Sequence, residues 1–232
     1  MSARHFAQEL TDAVTDFRAK FKTVRTLRGL MIPGFLTVEY LEGRRQPYLS
    51  PFKVYLVCAA VFFLSAPVAG FNLASMLDAD QSGVLRSLTS ARAAERHLDA
   101  PLFDARFDAR VQTVYTVTLG AVAVLFALML QALFWRQRRP YGVHLIAAVH
   151  YVSFVYLVTV AAGLSRRIGL SIDMAALGGY VLLLPYLILA LKRVYAESTT
   201  AVALKGAALL LLTIALDNFA NFTAIRLTLA LV

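Results

Sequence analysis

Five long apolar runs, separated by polar segments, dominate the chain after residue 50. They cover residues 52–70, 111–135, 144–164, 174–191 and 201–219. An α-helix rises about 1.5 Å per residue, so a helix of about 20 residues crosses the roughly 30 Å of bilayer hydrocarbon. The pattern therefore predicts an all-α, integral membrane helical bundle of five transmembrane helices in residues 51–232. It leaves open whether residues 220–232 continue the fifth helix.

Residues 1–50 form a basic segment that precedes these runs. Over the first 32 residues, apolar side chains recur every three or four positions, and basic side chains occupy the other face. This profile is typical of an amphipathic helix lying in the membrane interface, with its basic face toward anionic headgroups. A soluble helix that packs its apolar stripe on a neighbour fits the same pattern. The stripe contains Leu10, Val14, Phe17, Phe21, Val24 and Leu27 or Arg28, and the basic face contains Arg18, Lys20, Lys22 and Arg25.

The stretch Pro33–Pro51, called the hinge below, is predicted to lie at the membrane surface. Proline lacks a backbone N–H and glycine adopts unusual dihedrals, so Pro33-Gly34 ends the preceding helix. A short helix is expected over residues 35–42, with Gly43 as its left-handed cap. Ser50-Pro51 then provides the N-cap and the first residue of the first span.

Three hinge side chains are candidates for contact with lipid. Arg44 and Arg45 follow the predicted cap and are placed to reach headgroup phosphates, although such a pair often serves only as a topology anchor. Tyr48 suits the interfacial zone, where an aromatic ring has one dry end and one wet end. The bilayer and its anionic headgroups are therefore the expected partners of this segment.

Residues 71–110 are the sizeable polar segment between the first two runs, and they form the predicted outer loop. They contain a doubled tetrapeptide, Phe103-Asp-Ala-Arg followed by Phe107-Asp-Ala-Arg. Phe103, Phe107 and Val111 continue one helical stripe, so the repeat predicts an extension of the second span rather than a binding motif. Residues 78–83 resemble half of a calcium loop, but Thr89 stands where the bidentate Glu is required, which favours a solvated loop.

Composition excludes several other classes of protein. The chain is 59% apolar and 16% charged, against roughly 45–50% and about 25% in average soluble proteins. The chain has a net charge of +9, and its basic residues lie between the apolar runs. This distribution favours lipid headgroups over nucleic acid as their binding partner. The single cysteine, Cys58, excludes an internal disulfide framework and a Cys-rich metal site. No metal, cofactor or nucleic-acid partner is predicted.

The distribution of basic residues predicts that the N-terminus lies inside and the C-terminus outside. In that orientation the inner segments carry 15 of the 23 Lys and Arg residues, and the outer segments carry 8. Basic residues favour the cytoplasmic side, above all in short loops. Arg166-Arg167, on a short outer loop, run against this trend.

Four polar residues within the predicted spans are candidate functional residues: His150, Ser153, Tyr186 and Asp217. Ionisable groups in a membrane are costly and are functional candidates by default, although a neutral His150 bonded to a neighbouring helix is the alternative. His150 and Tyr186 lie about 9 Å and about 7.5 Å from the inner ends of their spans, so we expect them to hydrogen-bond to each other. Asp217 lies about 24 Å from its inner end, which argues against a His150–Asp217 dyad and equally fits the outer headgroup level. His144, at the edge of its span, is expected to be interfacial.

One set of residues carries a resemblance to a known family. The set comprises Thr26-Leu27, Pro33-Gly34, Glu39-Tyr40-Leu41, Gly43-Arg44-Arg45, Tyr48, Pro51 and Phe62-Phe63. Through these residues the chain resembles a bacterial family of multi-span membrane proteins catalogued as a domain of unknown function. Typical members begin with a paired-CxxC zinc ribbon, which this sequence lacks, so no role of that ribbon carries over. The resemblance implies a bacterial inner-membrane protein and brings no established activity.

These patterns favour a non-enzymatic membrane role. One version is passage of a small solute or lipid along a polar groove, which Pro185, Gly178-Gly179 and the buried polar groups favour. The other is assembly with a membrane partner or a second copy of the chain. The rival class is a membrane enzyme acting on lipid, with His150 or Asp217 as the acid–base group. It lacks a second catalytic group at matching depth, so no catalytic residue is assigned.

Overall fold

The computed structural model describes residues 21–69, 73, 76–77 and 82–232. Within these residues the regular structure is helical, as the sequence predicts. Short 3-10 turns at Trp135–Gln137 and Arg166–Ile168 follow two of the long helices. The α-helices are α1 (21–30), α2 (Phe35–Leu41), α3 (Pro51–Ala69), α4 (Val84–Glu95), α5 (Ala100–Leu133), α6 (Tyr141–Ser165), α7 (Ile172–Tyr195) and α8 (Thr199–Leu231).

Three of these helical segments are long and apolar enough to cross a membrane: Tyr141–Ile168, Asp173–Tyr195 and Thr199–Leu231. They correspond to the third, fourth and fifth predicted spans. The first and second predicted spans contain shorter apolar helical segments, Pro51–Ser65 and Gly120–Leu133. The chain is therefore an all-helical protein with membrane-type helices, and α8 continues to Leu231 instead of ending near residue 219.

Helix α6 lies at the centre of the packing. It contacts α3, α5 and α7, and α8 closes the bundle against α5 and α7. Aromatic stacking joins the layers: the rings of Phe126 in α5 and Tyr151 in α6 lie 4.9 Å apart, and those of Phe154 in α6 and Tyr186 in α7 lie 3.6 Å apart. These contacts fix the relative positions of the helices that carry the intramembrane polar candidates.

The doubled tetrapeptide is a helical extension, which confirms the interpretation of the repeat. Helix α5 runs without a break from Ala100 to Leu133. Phe103, Phe107 and Val111 are all buried, in one cluster with Leu229 near the end of α8. The apolar stripe therefore joins the start of α5 to the end of α8. Residues 78–81 of the calcium-like loop lie outside the described part of the chain.

The hinge forms the predicted local elements. Gly34 has a φ of 71° and precedes α2, and Gly43 has a φ of 83° and follows it. Both backbones are left-handed, which glycine adopts at no steric cost. Helix α3 begins at Pro51, and the Val54 amide donates to the Ser50 carbonyl, as expected for a helix that starts at this pair.

The hinge packs into the bundle, which the sequence pattern did not predict. Helix α2 packs against both α6 and α7, and Leu36, Thr37 and Tyr48 are buried. The Tyr48 ring meets the Phe35 ring edge to face, with centroids 5.9 Å apart, so it is a core residue of the protein, and its position relative to the membrane surface stays a prediction. The pattern of apolar residues did not distinguish a lipid-facing stripe from one that packs on a neighbouring helix.

The N-terminal amphipathic prediction falls largely on residues 1–20, which lie outside the described residues. In α1, Phe21 and Val24 from the predicted stripe are exposed, whereas Thr26 and Leu30 are buried. The Thr26 hydroxyl oxygen accepts a 3.0 Å hydrogen bond from the Leu49 amide. Leu27, at the end of the predicted stripe, packs against the core, so the packed face of α1 coincides with the stripe only at that end.

We predict that Gly34→Ala destabilises the protein more than Gly43→Ala. A Cβ at Gly34 would lie 2.9 Å from the Ala190 carbonyl oxygen, whereas a Cβ at Gly43 meets nothing within 4 Å. Both variants incur the left-handed cost of about 1–2 kcal/mol, and only Gly34→Ala adds overpacking of about 1–3 kcal/mol. Thermal unfolding in detergent measures the difference, and equal losses would show that α7 yields at Ala190 without cost.

Candidate functional site

The hinge meets α6 through a buried polar contact. Oγ1 of Thr37 in α2 lies 3.0 Å from Nδ1 of His150 in α6. Both residues are buried, and α2 positions Thr37 because Gly34 turns the chain directly into the groove between α6 and α7. Depending on the imidazole tautomer, either the hydroxyl or the ring nitrogen donates. His150 is therefore satisfied by the hinge.

Two side chains of α7 donate to backbone carbonyls around the start of the hinge. The Tyr186 hydroxyl donates to the Leu30 carbonyl at 2.6 Å, and Nη1 of Arg193 donates to the Pro33 carbonyl at 2.8 Å. Leu30 is the last residue of α1, and the last carbonyls of a helix have no partner within it. The two donors therefore supply partners that the Pro33-Gly34 break removes. Thr37, His150, Tyr186, Arg193 and the carbonyls of Leu30 and Pro33 are called the hinge junction below.

The predicted hydrogen bond between His150 and Tyr186 is wrong. Each side chain bonds instead to the hinge or the turn before it. The depth estimate itself was sound, because both residues line one cavity at the hinge junction. The error arose because only two spans were compared, whereas the hinge supplies the partner of His150 and the end of α1 supplies the partner of Tyr186.

A small cavity lies beside the hinge junction. It measures about 20 Å³, and its wall includes Gly34, Thr37, His150, Tyr151 and Tyr186, with apolar side chains from α5, α6 and α7. Among the described residues, the Tyr151 hydroxyl is a buried side-chain oxygen without a hydrogen-bond partner. The cavity therefore combines a mostly apolar wall with one unsatisfied donor.

A second buried pair lies more than one helical turn away from His150 and Tyr186, at the start of α6 and the end of α7. Nδ1 of His144 lies 2.7 Å from the Tyr195 hydroxyl, and the Tyr195 ring stacks on Phe134 with centroids 3.8 Å apart. His144 is 1% exposed, so it packs inside the protein, and its level in the membrane stays a prediction. The sequence did hold a signal: in two antiparallel helices, the start of α6 and the end of α7 lie side by side, at the end opposite the connecting loop. The predicted fourth span, however, ended at Leu191, four residues before Tyr195.

The other intramembrane candidates do not join the hinge junction. Ser153 is buried, and its hydroxyl donates to the Val149 carbonyl one turn earlier in α6 at 2.7 Å. Its polarity is satisfied within its own helix. The side chain of Asp217 lies outside the described part of the structure. His150 and Tyr186 therefore carry the site within the described residues.

The two hinge arginines are engaged within the hinge itself. Arg44 forms ion pairs with Glu39 and Glu42, and the bond from Arg44 lowers the pKa of the Glu39 carboxyl. Nε of Arg45 donates to the Tyr40 carbonyl at 3.1 Å, and the guanidinium lies over the Tyr40 ring. The two carboxylates offset the two positive charges locally. Binding of a lipid phosphate by Arg44 and Arg45 stays a prediction and would have to compete with these contacts.

The arrangement can hold the hinge and two helices together through hydrogen bonds between buried neutral groups. His150 faces a hydroxyl rather than a carboxylate. Within the described residues, no group of three or more His, Cys, Asp or Glu side chains could hold a metal ion. The hinge junction therefore holds the hinge against α6 and α7 by hydrogen bonds.

We predict that Thr37 and His150 are energetically coupled. Thr37→Val keeps the shape and removes the hydroxyl, so it should destabilise the protein by about 1 kcal/mol. In a His150→Phe background the loss should shrink by about 0.6 kcal/mol, the average for interhelical bonds in membranes. Equilibrium unfolding in mixed micelles measures the four-variant cycle.

Thr228→Val is the matched control for this cycle. Thr228 is also buried, but its hydroxyl donates to the Ala224 carbonyl of its own helix at 2.7 Å. Its effect should be the same with His150 or Phe at position 150. An effect of Thr37→Val that is likewise independent of position 150 would contradict the coupling.

Comparison with known proteins gives one family match, over a short part of the chain, and no activity. No curated protein and no solved structure matches the chain. One family model matches a segment that includes α1 from its second residue, all of the hinge and most of α3. This segment contains Thr37 and the carbonyls of Leu30 and Pro33, which take part in the hinge junction. Residues 22–63 match the model of a protein family of unknown function, DUF3667.

Proposed function

We propose that this protein is a non-enzymatic, multi-pass protein of the bacterial inner membrane, in which the hinge closes a route for a small solute or lipid between α6 and α7. The observation that carries the proposal is the hinge junction. Two buried polar groups that face each other across α6 and α7 bond to the inserted chain: His150 to Thr37 of the hinge, and Tyr186 to the Leu30 carbonyl just before it. A segment that satisfies the groove's own polar groups acts as a plug.

The proposed topology has five spans, with the N-terminus inside and the C-terminus outside. Two observations support it. Segments predicted to lie inside contact each other, since Gln137 donates to the Tyr195 carbonyl and Arg193 donates to the Pro33 carbonyl. Segments predicted to lie outside also meet, since Arg92 donates to the Leu229 carbonyl near the end of α8. This arrangement places the hinge junction at the cytoplasmic end of the bundle.

Assembly with a membrane partner is the second candidate function. The size of the cavity favours it: about 20 Å³ holds roughly one water molecule, and neither a lipid nor a sugar-sized solute fits beside the closed hinge. Passage therefore requires the hinge to move, whereas assembly does not. The same size weighs against a lipid-cleaving role for His150.

Reporter fusions test the topology. A reporter active only outside the cytoplasm should be active when fused after residue 90, because that position lies in the proposed outer segment. It should be inactive after Arg139 or Glu197, which lie in proposed inner segments. Activity of the Arg139 fusion would reverse the orientation of α6 and refute the model.

Flux into proteoliposomes tests the role of the hinge. The double variant Tyr186→Phe/Arg193→Gln removes two donors to the hinge junction, so the plug should loosen and stopped-flow entry of a small polar solute such as glycerol should accelerate several-fold. Arg139→Gln is the matched control, because Arg139 donates to the Val194 carbonyl and not to the hinge. Its flux should equal that of the unmodified protein.

Equal flux in all three proteins, at the level of protein-free vesicles, would contradict passage. A partner that co-purifies in detergent with the unmodified protein, and is lost on loosening the hinge, would then favour assembly. Lipid turnover that disappears in His150→Ala would instead favour the enzyme.

A further inference from the structure

The cavity at the hinge junction contains an unexplained polar group. Tyr151 is 4% exposed, and its hydroxyl is buried without a partner among the described residues. A buried hydroxyl without a hydrogen bond costs about 1–3 kcal/mol. In native proteins, such a group generally has a partner that is protein or ordered water.

The surroundings prevent the Tyr151 ring from turning toward another partner. Its ring is stacked on Phe126 with centroids 4.9 Å apart, and the Tyr186 ring lies 6.4 Å away on α7. The Tyr186 hydroxyl is already directed to the Leu30 carbonyl. The partner of Tyr151 must therefore enter the cavity that Tyr151 helps to line.

Size and polarity select the ligand. A cavity needs roughly 10–15 Å³ to hold a water molecule, together with two to four polar partners. This one measures about 20 Å³, and Thr37, His150, Tyr151 and Tyr186 all contribute to its wall. The volume excludes anything much larger than water, and an ion would lack a counter-charge because no Asp, Glu, Lys or Arg lines the cavity.

We propose that this cavity is a binding site for a single water molecule. The water accepts a hydrogen bond from the Tyr151 hydroxyl and bonds to the polar groups of the hinge junction. The water links Tyr151 of α6 to the hinge, in addition to the direct bond between His150 and Thr37. This site does not depend on the proposed solute passage, because a closed and purely structural hinge would need the same water.

X-ray radiolytic footprinting tests the site on the full-length protein in detergent. Water bound next to a buried ring generates hydroxyl radical in place, so that ring is oxidised quickly despite its burial. Tyr156 is the internal control: it is the same residue type on the same helix and is similarly buried, but its hydroxyl lies 3.1 Å from that of Tyr55 and it does not line the cavity. We expect Tyr151 to be oxidised several-fold faster than Tyr156.

A filling variant provides the second measurement. Ala147 lines the same cavity, so Ala147→Val should displace the water and reduce Tyr151 oxidation to the Tyr156 rate. The same substitution should also lower the melting temperature more in the presence of Tyr151 than in a Tyr151→Phe background, where no hydroxyl is left unpaired. Equal, slow oxidation of the two tyrosines in the unmodified protein would overturn the proposal. So would an Ala147→Val effect on melting temperature that is independent of Tyr151.

Discussion

Polar groups at the depth of bilayer hydrocarbon must find partners within the protein, because no bulk water reaches them. Any buried polar group has the same requirement, and it accounts for how the Pro33-Gly34 break packs against α6 and α7. The break leaves the carbonyls of Leu30 and Pro33 without helical partners, while α7 carries Tyr186 and Arg193 as donors. Each segment alone would contain unsatisfied groups. Packed together they satisfy each other, so the hinge and the pair α6–α7 require one another.

The same solution recurs at other helix ends. The carbonyls of Val194 and Tyr195, at the end of α7, accept hydrogen bonds from Arg139 and Gln137, which lie between α5 and α6. The carbonyls of Leu229 and Ala230, at the end of α8, accept from Arg92. Basic donors at a helix C-terminus also interact favourably with the helix dipole. Arg139 and Arg92 therefore stabilise helix ends, in addition to the orienting role expected from the distribution of basic residues.

Sequence periodicity predicted what depends on neighbours along the chain and missed what depends on neighbours in space. The start of α3 at Pro51 and the helical repeat at Phe103 and Phe107 follow from local signals, and both were found. The burial of Tyr48 and the Thr37–His150 contact follow from the insertion of the hinge between helices, for which the sequence carries no local signal. The amphipathic pattern was visible, but it does not identify the surface that a helix face covers.

The energy that holds the hinge closed is modest. Lipid chains solvate apolar side chains as well as protein does, so apolar burial drives little association between membrane helices. Three hydrogen bonds hold the hinge junction, one each from Thr37–His150, Tyr186 and Arg193. At an average of about 0.6 kcal/mol each, they contribute roughly 2 kcal/mol. A gap of a few kcal/mol leaves a minor state populated at about 0.1–10%. Breaking these three hydrogen bonds is therefore a small part of the cost of the hinge opening that the proposed passage requires, and the packing of buried hinge residues such as Leu36 and Tyr48 adds to it.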